Sequence, residues 1–406
     1  MTNRMPALLL LVALLFAEFV LANGFLPSAA LVITTPTRRL TTHNSRLAED
    51  TPDAIDRPVI AGVIAPLVYK GPYACLSLRF PNWNNAVWDF VVDTGANVNS
   101  IDKKLAEQNG MPQLQGIPQP LATSGVGGSF APGELVLLGD CALAGLPPAQ
   151  SHMLFLRNLT ASALPHAGPT AGLLGSSFVG MFAGVEFDWY GTDGDPPTMG
   201  FYFGKSPLPL SVTQGMVRVP LQSGGLGLFI VSTTVNGVEI PALVDTGSPI
   251  TILTKQAAET IGMQTVLSPT HDTGTFDNNR HHPRPRQRQQ QAIGDPSLQV
   301  GGVDGRPMQL QRSESTANTI QVGSLTLGEG PVYIGNVPAL SFLEQTAEWL
   351  QDKTRTMDPP VAILGLDFLR KAYRIIIVSA SHNNNAASEL WLDPMDDSKP
   401  KYKATN

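Results

Sequence analysis

Two stretches of this chain end in the same three residues, and those residues carry the chemistry the sequence offers. Phe90-Val91-Val92-Asp93-Thr94-Gly95-Ala96 and Ala242-Leu243-Val244-Asp245-Thr246-Gly247-Ser248 are each an apolar, β-branched run that stops at an acid, a hydroxyl and a glycine. Such a run reads as a buried strand that delivers a carboxylate into a tight turn. A carboxylate in that position is costly unless something uses or satisfies it, and the glycine admits a backbone approach that a side chain would block. Two acids brought into contact from two such turns cannot both ionise. They share one proton, so one stands as base beside the other as acid. Such a pair takes a proton from a water held between the acids and donates one to a carbonyl oxygen, a hydrolysis that needs neither a metal nor a covalent enzyme intermediate. Nothing in the two stretches tells the base from the acid.

Each turn has a downstream companion. Ala171-Gly172-Leu173-Leu174-Gly175 and Val361-Ala362-Ile363-Leu364-Gly365 are apolar strands ending in glycine, followed by Ser176-Ser177-Phe178-Val179 and Leu366-Asp367-Phe368-Leu369. In this order the segments resemble those of pepsin-like and retroviral-type aspartic proteases, in which an Asp-Thr-Gly loop is paired with a hydrophobic-hydrophobic-Gly strand in each half. Aspartic proteases are the type case of the proton-sharing pair.

The resemblance implies an all-β, two-lobed acid-protease fold with one Asp-Thr-Gly loop per lobe and a cleft between them. It implies an aspartic endopeptidase with Asp93 and Asp245 as the catalytic pair. Thr94 and Thr246 would exchange hydrogen bonds beneath the acids, Gly95 and Gly247 would shape the loops, and Ala96 and Ser248 would support the carboxylates. Ser248 matches the commonest pepsin-like loop and Ala96 the retroviral type. The implied partner is a protein or peptide substrate, the implied cofactor is none, and the dyad forms within one chain acting as a monomer. The alternative is an inactive, peptide-binding protein of the same shape; two intact triplets favour the peptidase.

Composition agrees with two lobes. The chain has 406 residues, 43% hydrophobic and 15% charged, enough for two cores of ordinary domain size. A net charge of −6 implies no global attraction to nucleic acid or anionic membrane. Its 38 glycines and 34 prolines punctuate many short strands.

Residues 1–24 read as a secretory signal, with Arg4 before an apolar run and the small residues Ala22-Asn23-Gly24 at a cleavage position. The run is too short for a confident membrane span, so no stable span is expected once the signal is removed. Residues 25–57 begin with a stretch that holds Arg38, Arg39, Arg46 and no acid up to residue 48. With Phe25 at the new N-terminus, this looks like the bipartite plastid leader of algae with complex plastids. A basic propeptide on a protein bound for secretion or a vacuolar or lysosomal lumen is the other reading. In either case the segment is expected to lie outside the mature fold.

The first lobe is expected over residues 58–208, with strands at 59–68, 74–80 and 87–92, a helix at 102–108 and a hairpin from 185–189 and 199–203. Thr123-Ser124-Gly125-Val126-Gly127-Gly128-Ser129 is an ordinary glycine turn or, by resemblance to retroviral-type proteases, a flap whose Ser124, Gly125, Val126, Gly127 and Gly128 close over substrate. It lacks the tyrosine that pepsin-like flaps usually carry. Cys75 and Cys141 either form one disulfide or remain buried thiols, according to compartment. Two cysteines exclude a four-cysteine zinc site. Asn158-Leu159-Thr160 is a glycosylation sequon if the chain enters the secretory route.

A linker at 206–213 leads to the second lobe, expected over residues 209–395. It carries a hairpin turning at Asn236-Gly237, a short helix at 255–261 and a helix at 340–351. Residues 270–309, rich in Arg, His, Pro and Gln, read as a disordered, solvated insertion. His281 and His282 lie there without metal-ligand spacing, and Gly224-Gly225-Leu226-Gly227 lacks a full dinucleotide fingerprint. Residues 396–406 form a polar tail.

Overall fold

Apolar alternation becomes strand almost wherever the sequence carries it. The computed structural model describes residues 30–32, 62–115, 134–146, 154–166, 168–191, 196–203, 208, 210–224, 227–263, 297–301, 307–337, 340, 361–380 and 387–395. The first lobe contains β1 (Ala30–Val32), β2 (Gly62–Lys70), β3 (Tyr73–Phe80), β4 (Ala86–Val92), β5 (Ser100–Asp102) and helix α1 (Lys103–Gln108). It continues with β6 (Glu134–Leu143), β7 (Phe155–Leu164), β8 (Gly172–Leu174), one-turn α2 (Ser176–Val179), β9 (Gly184–Asp188) and β10 (Thr198–Tyr202). The second lobe contains α3 (Leu210–Thr213), β11 (Val217–Pro220), β12 (Gln222–Gly224), β13 (Leu228–Val235), β14 (Val238–Val244), β15 (Ile252–Thr254) and α4 (Lys255–Ile261). Then come β16 (Ser297–Gly301), β17 (Pro307–Arg312), β18 (Asn318–Val322), β19 (Leu325–Gly330), β20 (Tyr333–Gly335), β21 (Ala362–Leu364), α5 (Leu366–Leu369), β22 (Arg374–Val378) and β23 (Glu389–Asp393).

Local chemistry explains the element ends. Asn236 (φ 50°) and Gly237 (φ 85°) make the left-handed turn that joins β13 to β14. Asp102 caps α1 by accepting the Leu105 N–H at 2.9 Å, and Thr254 caps α4 by accepting that of Ala257 at 3.1 Å.

The same crossing recurs in both lobes. In the first, β4 runs parallel to β8 (Val92 opposite Leu174), and β5 returns antiparallel to β8 on its other side (Ile101 opposite Gly172). In the second, β14 runs parallel to β21 (Val244 opposite Leu364), and β15 returns antiparallel to it (Leu253 opposite Ala362). The glycine-ended strand thus sits between the strand that enters each acid-bearing turn and the strand that leaves it.

A sheet beneath the site joins the lobes, because β9 pairs antiparallel with β22, Glu186 opposite Ile376. Arg374 reinforces this seam. Its guanidinium lies 2.8 Å from Asp393 Oδ2 and 3.3 Å from Glu186 Oε1, and donates to the Val212 carbonyl at 3.0 Å. The main core runs through both lobes, from Phe90, Phe178 and Phe201 to Phe368, Ile375 and Leu392.

Three expectations are corrected. Ala30–Val32, within the leader, pairs antiparallel with β7 (Leu31 opposite Leu156), since a β-prone run can cover an edge strand's open hydrogen bonds. Leu210–Thr213, expected as linker, is a helical turn with Val212 and Thr213 buried. The end of the expected disordered insertion forms the β16–β17 hairpin (Leu298 opposite Leu310), because Leu298, Val300, Met308 and Leu310 alternate with polar residues within the biased composition.

Of the two readings for the cysteines, the structure has the buried thiols: both are buried and free. Strand register prevents a bridge. Leu78 lies opposite Leu143 and Arg79 opposite Ala142, so the next step places Cys141 across from Phe80. Cys75 is five residues back along β3, about 17 Å at the strand rise, far beyond disulfide reach. The signal, the flap residues Ser124–Gly128, His281, His282, nearly all of the 340–351 helix and the 396–406 tail lie outside the described residues. Among the described residues, no helix is long and apolar enough to cross a membrane.

Candidate active site

The crossing strands bring Asp93 and Asp245 to one place from opposite lobes. Backbone bonds anchor each acid to the glycine-ended strand beside it: Asp93 N–H to Leu174 O at 2.9 Å, Asp245 N–H to Leu364 O at 3.1 Å. One carboxylate oxygen of each then turns back onto its own loop. Asp93 Oδ1 accepts from the N–H groups of Gly95 and Ala96, both at 3.0 Å. Asp245 Oδ1 accepts from those of Gly247 at 2.8 Å and Ser248 at 3.0 Å. The two carboxyls lie close enough that each shifts the other's pKa. Ser248 supports its acid through the backbone, as Ala96 does, since its hydroxyl donates instead to Ile250 O at 2.7 Å.

The loops interlock beneath the acids. Thr94 N–H donates to Thr246 Oγ1 at 3.1 Å, and Thr246 N–H to Thr94 Oγ1 at 3.0 Å. Each hydroxyl in turn donates at 2.7 Å to the carbonyl preceding the opposite acid, Thr94 to Val244 and Thr246 to Val92. Both threonines are fully buried, so every one of these groups would be orphaned if the lobes separated.

Gly95 and Gly247 permit the contact. A Cβ on Gly95 would lie 2.5 Å from Asp245 Cγ, and one on Gly247 would lie 2.2 Å from Asp93 Cγ. Each loop's glycine is the floor on which the other loop's acid rests.

Burial raises the pKa of both acids. Asp245 is only 2% exposed, and burial together with the Asp93 charge pushes it well above the usual carboxylate range. Asp93 is half-buried; burial raises it too, while the hydrogen bond from Asp245 and those from Ala96 and Gly95 favour its ionised form. Asp245, the more enclosed of the two, is the acid whose anion its surroundings disfavour more.

Several supporting residues went unread in the sequence. Asn99 and Thr251 each lie six positions beyond an acid and hold the end of the glycine-ended strand: Asn99 Oδ1 accepts from Gly175 N–H, and Thr251 Oγ1 accepts from Gly365 N–H, both at 3.0 Å. Thr251 also donates to Asp367 Oδ1 at 2.7 Å, and burial raises the Asp367 pKa. The equal offset from the two acids was the available signal, but the different residue types concealed it. Tyr73, half-buried at the start of β3, also went unread. Burial raises its pKa first, and the Asp93 and Asp245 charges add to that effect.

Other candidates lie elsewhere. Gln113 is bridged to Val136, and Leu114 N–H bonds to Leu135 O at 2.9 Å. Asn158 is exposed in β7 at φ 55°, its N–H donating to Asp140 Oδ1 at 3.1 Å. A cavity of about 220 Å³ lies at the far end of the second lobe, lined by Asn236, Met263, Ser313 and Asn318 among others. Among the described residues, no three His, Cys, Asp or Glu side chains cluster as metal ligands.

The chain matches the aspartyl protease family model over residues 81–178 and 231–304, segments that contain Asp93 and Asp245 respectively. No curated protein matches it. Among solved structures it is similar to basic 7S globulin from soybean, at 12% identity and TM-score 0.40, covering 82% of this chain and 95% of that one. It is similar also to conglutin gamma, a basic 7S globulin from lupine seeds, at 12% identity and TM-score 0.42, covering 82% and 94%. A retropepsin-like aspartic protease from Rickettsia conorii aligns at 15% identity and TM-score 0.22, covering 44% and 90%. Each matched segment carries one Asp-Thr-Gly loop, and the two loops lock together at the lobe interface, so both the sequence match and the site geometry liken the chain to the aspartyl protease family.

Proposed function

We propose that this protein is an aspartic-type endopeptidase that hydrolyses peptide bonds with a water activated by Asp93 and Asp245. The observation that carries this reading is the mutual seating of each acid on the opposite loop's glycine, which brings the two carboxyls together.

Asp93, more exposed and stabilised as an anion by loop N–H groups, is the base. It takes a proton from the water as the water oxygen attacks the scissile carbonyl carbon. Asp245 donates its proton to the carbonyl oxygen, giving a neutral tetrahedral diol. Collapse of that diol breaks the C–N bond as the amine nitrogen receives the proton from Asp93, and a hydroxyl proton returns to the pair. The substrate is a protein or peptide in an extended conformation, which suits a cleft between two β lobes.

The test is cleavage of a mixed peptide library by the full-length chain across acidic to neutral pH, beside Asp93→Asn and Asp245→Asn. Hydrolysis by the wild type that falls about 10²–10⁴-fold or more in both folded variants is the expected result. A folded wild type that binds peptides and cuts none at any pH would overturn it in favour of a peptide-binding protein.

A further inference from the structure

The strand that supports Asp245 is itself held in place by a third carboxylate. Thr251, six positions beyond Asp245, accepts the Gly365 N–H at 3.0 Å, and Gly365 directly follows Leu364, whose carbonyl accepts the Asp245 N–H. Thr251 is gripped in turn by Asp367 at two points. Its N–H donates to Asp367 Oδ2 at 3.0 Å and its hydroxyl to Asp367 Oδ1 at 2.7 Å. Between these bonds, Leu366 N–H donates at 2.8 Å to the carbonyl of Ser248, the residue whose N–H holds the Asp245 carboxylate. The fit is close, since a Cβ on Gly365 would lie 2.3 Å from Ile250 O. A shift of Thr251 therefore reaches the backbone anchor of Asp245 and the N–H that orients its carboxylate.

The first lobe makes the corresponding joint with neutral groups. Asn99 Oδ1 accepts the Gly175 N–H at 3.0 Å and Asn99 Nδ2 donates to Thr160 O at 3.2 Å, while exposed Ser177 stands in the place of Asp367. Of the two joints, the one at Asp245 alone rests on a group that titrates. An ionised Asp367 accepts at both oxygens, as Thr251 requires, whereas a protonated carboxyl oxygen is a poor acceptor. Burial raises the Asp367 pKa, against the hydrogen bonds from Thr251 and the Phe368 N–H and the charge of Lys371. It thus takes up a proton at a higher pH than an exposed aspartate does. Lys371 is the cation beside it, and Glu329 of β19 faces Lys371. On the other side Tyr333 of β20 meets Thr251 through its backbone, N–H to Thr251 O at 3.0 Å.

We propose that Asp367 is a positioning residue for the second catalytic acid: its ionised carboxylate, acting through Thr251, holds the Asp245 loop in the geometry for turnover, and protonation of Asp367 releases that hold. The inference rests on the peptidase reading above and adds to it an acid-side pH dependence seated outside the dyad.

The test measures kcat and KM from acidic to neutral pH on a peptide that the wild type cleaves. It compares the full-length wild type with Asp367→Asn, Thr251→Val, Thr251→Ser and the double variant of Asp367→Asn with Thr251→Val. At the alkaline end of the active range Asp367→Asn should lower kcat about tenfold and change KM less than about twofold, because the acid is displaced and the substrate contacts are not. The wild-type advantage in kcat should shrink toward low pH, as Asp367 of the wild type takes up its proton. Thr251→Val should reproduce both effects and Thr251→Ser neither. The double variant should be no slower than the slower single, as expected of residues that act as one unit. Carboxyl carbon NMR gives a readout independent of turnover: the Asp245 titration should move in Asp367→Asn. If Asp367→Asn does not fold, Thr251→Val and Thr251→Ser decide by the same criteria. An unchanged kcat, a deficit equal at every pH, or additive effects in the double variant overturns the inference and leaves the peptidase intact. A wild type that cuts no peptide overturns the peptidase reading, and the Asp245 titration then decides the role of Asp367.

Discussion

Thr94 and Thr246 each accept the other's backbone N–H and each donate to the carbonyl before the other's acid. This reciprocal arrangement fixes the two loops beneath the acids. It also fixes the distance between the carboxyls, because each acid directly precedes one of these threonines in sequence.

Thr246→Val keeps the side-chain shape but leaves Val92 O and Thr94 N–H buried without partners. At about 1–3 kcal/mol for each orphaned group, the expected loss is about 3 kcal/mol. Melting should fall by roughly 6–12 °C. Thr246→Ser, which retains the hydroxyl, should lose much less. Equal melting temperatures for the valine and serine variants would mean that the crossed bonds contribute little.

The shared proton makes stability depend on pH in a definite direction. Asp93 and Asp245 both have folded-state pKa values raised above 3.8, chiefly by burial. Between the unfolded and folded values, the folded chain holds a proton that the unfolded chain has released. The stability this confers is complete below about pH 4 and is lost as pH rises through the folded value. In Asp245→Asn the amide replaces the protonated acid and this loss disappears. The melting temperature of the variant minus that of the wild type should therefore increase from pH 4 to pH 8; a flat difference would rule out proton sharing.

Gly95→Ala and Gly247→Ala test the seating of the acids directly. The added methyl cannot coexist with an acid whose Cγ is 2.5 Å or 2.2 Å away, so the carboxyls must separate. Peptide hydrolysis should drop about 100-fold or more as the pair stops sharing its proton. Titration of the acids should return toward the ordinary carboxylate range, measurable by carboxyl carbon NMR. Retained activity in either variant would show that the loops tolerate separation.

The thiols provide a simple check on the strand register. Cys75 and Cys141 are fully buried, and burial pushes the Cys75 pKa up to about 11 and raises that of Cys141 further. Native protein should react with a thiol reagent at neither cysteine and unfolded protein at both, with no change in melting temperature on adding a reductant. A reductant-sensitive melt would mean that β3 and β6 pair differently.

Much of the fold was legible because it rests on local pattern. The alternating runs at 74–80 and 228–235 became β3 and β13, Asn236-Gly237 turned the hairpin, and Lys255–Ile261 formed the helix expected there. The pairing of the two Asp-Thr-Gly turns with their glycine-ended strands followed from the resemblance to aspartic proteases, and the strands do pair so. The β16–β17 hairpin went unread because its alternation is only a few residues long within a stretch biased toward Gln, Arg and Pro.

Sequence by itself therefore determined that two apolar strands must each present an acid in a tight turn, since β-branched runs, glycine and threonine act on their own few residues. Tertiary structure alone decided which groups meet. Thr94 finds Thr246 across 152 positions, Arg370 reaches Pro72 across 298, and Asp245 rather than Asp93 is the more enclosed acid. Burial and charge are properties of the packed neighbourhood, and two nearly identical loops acquire different roles only when different surroundings close over them.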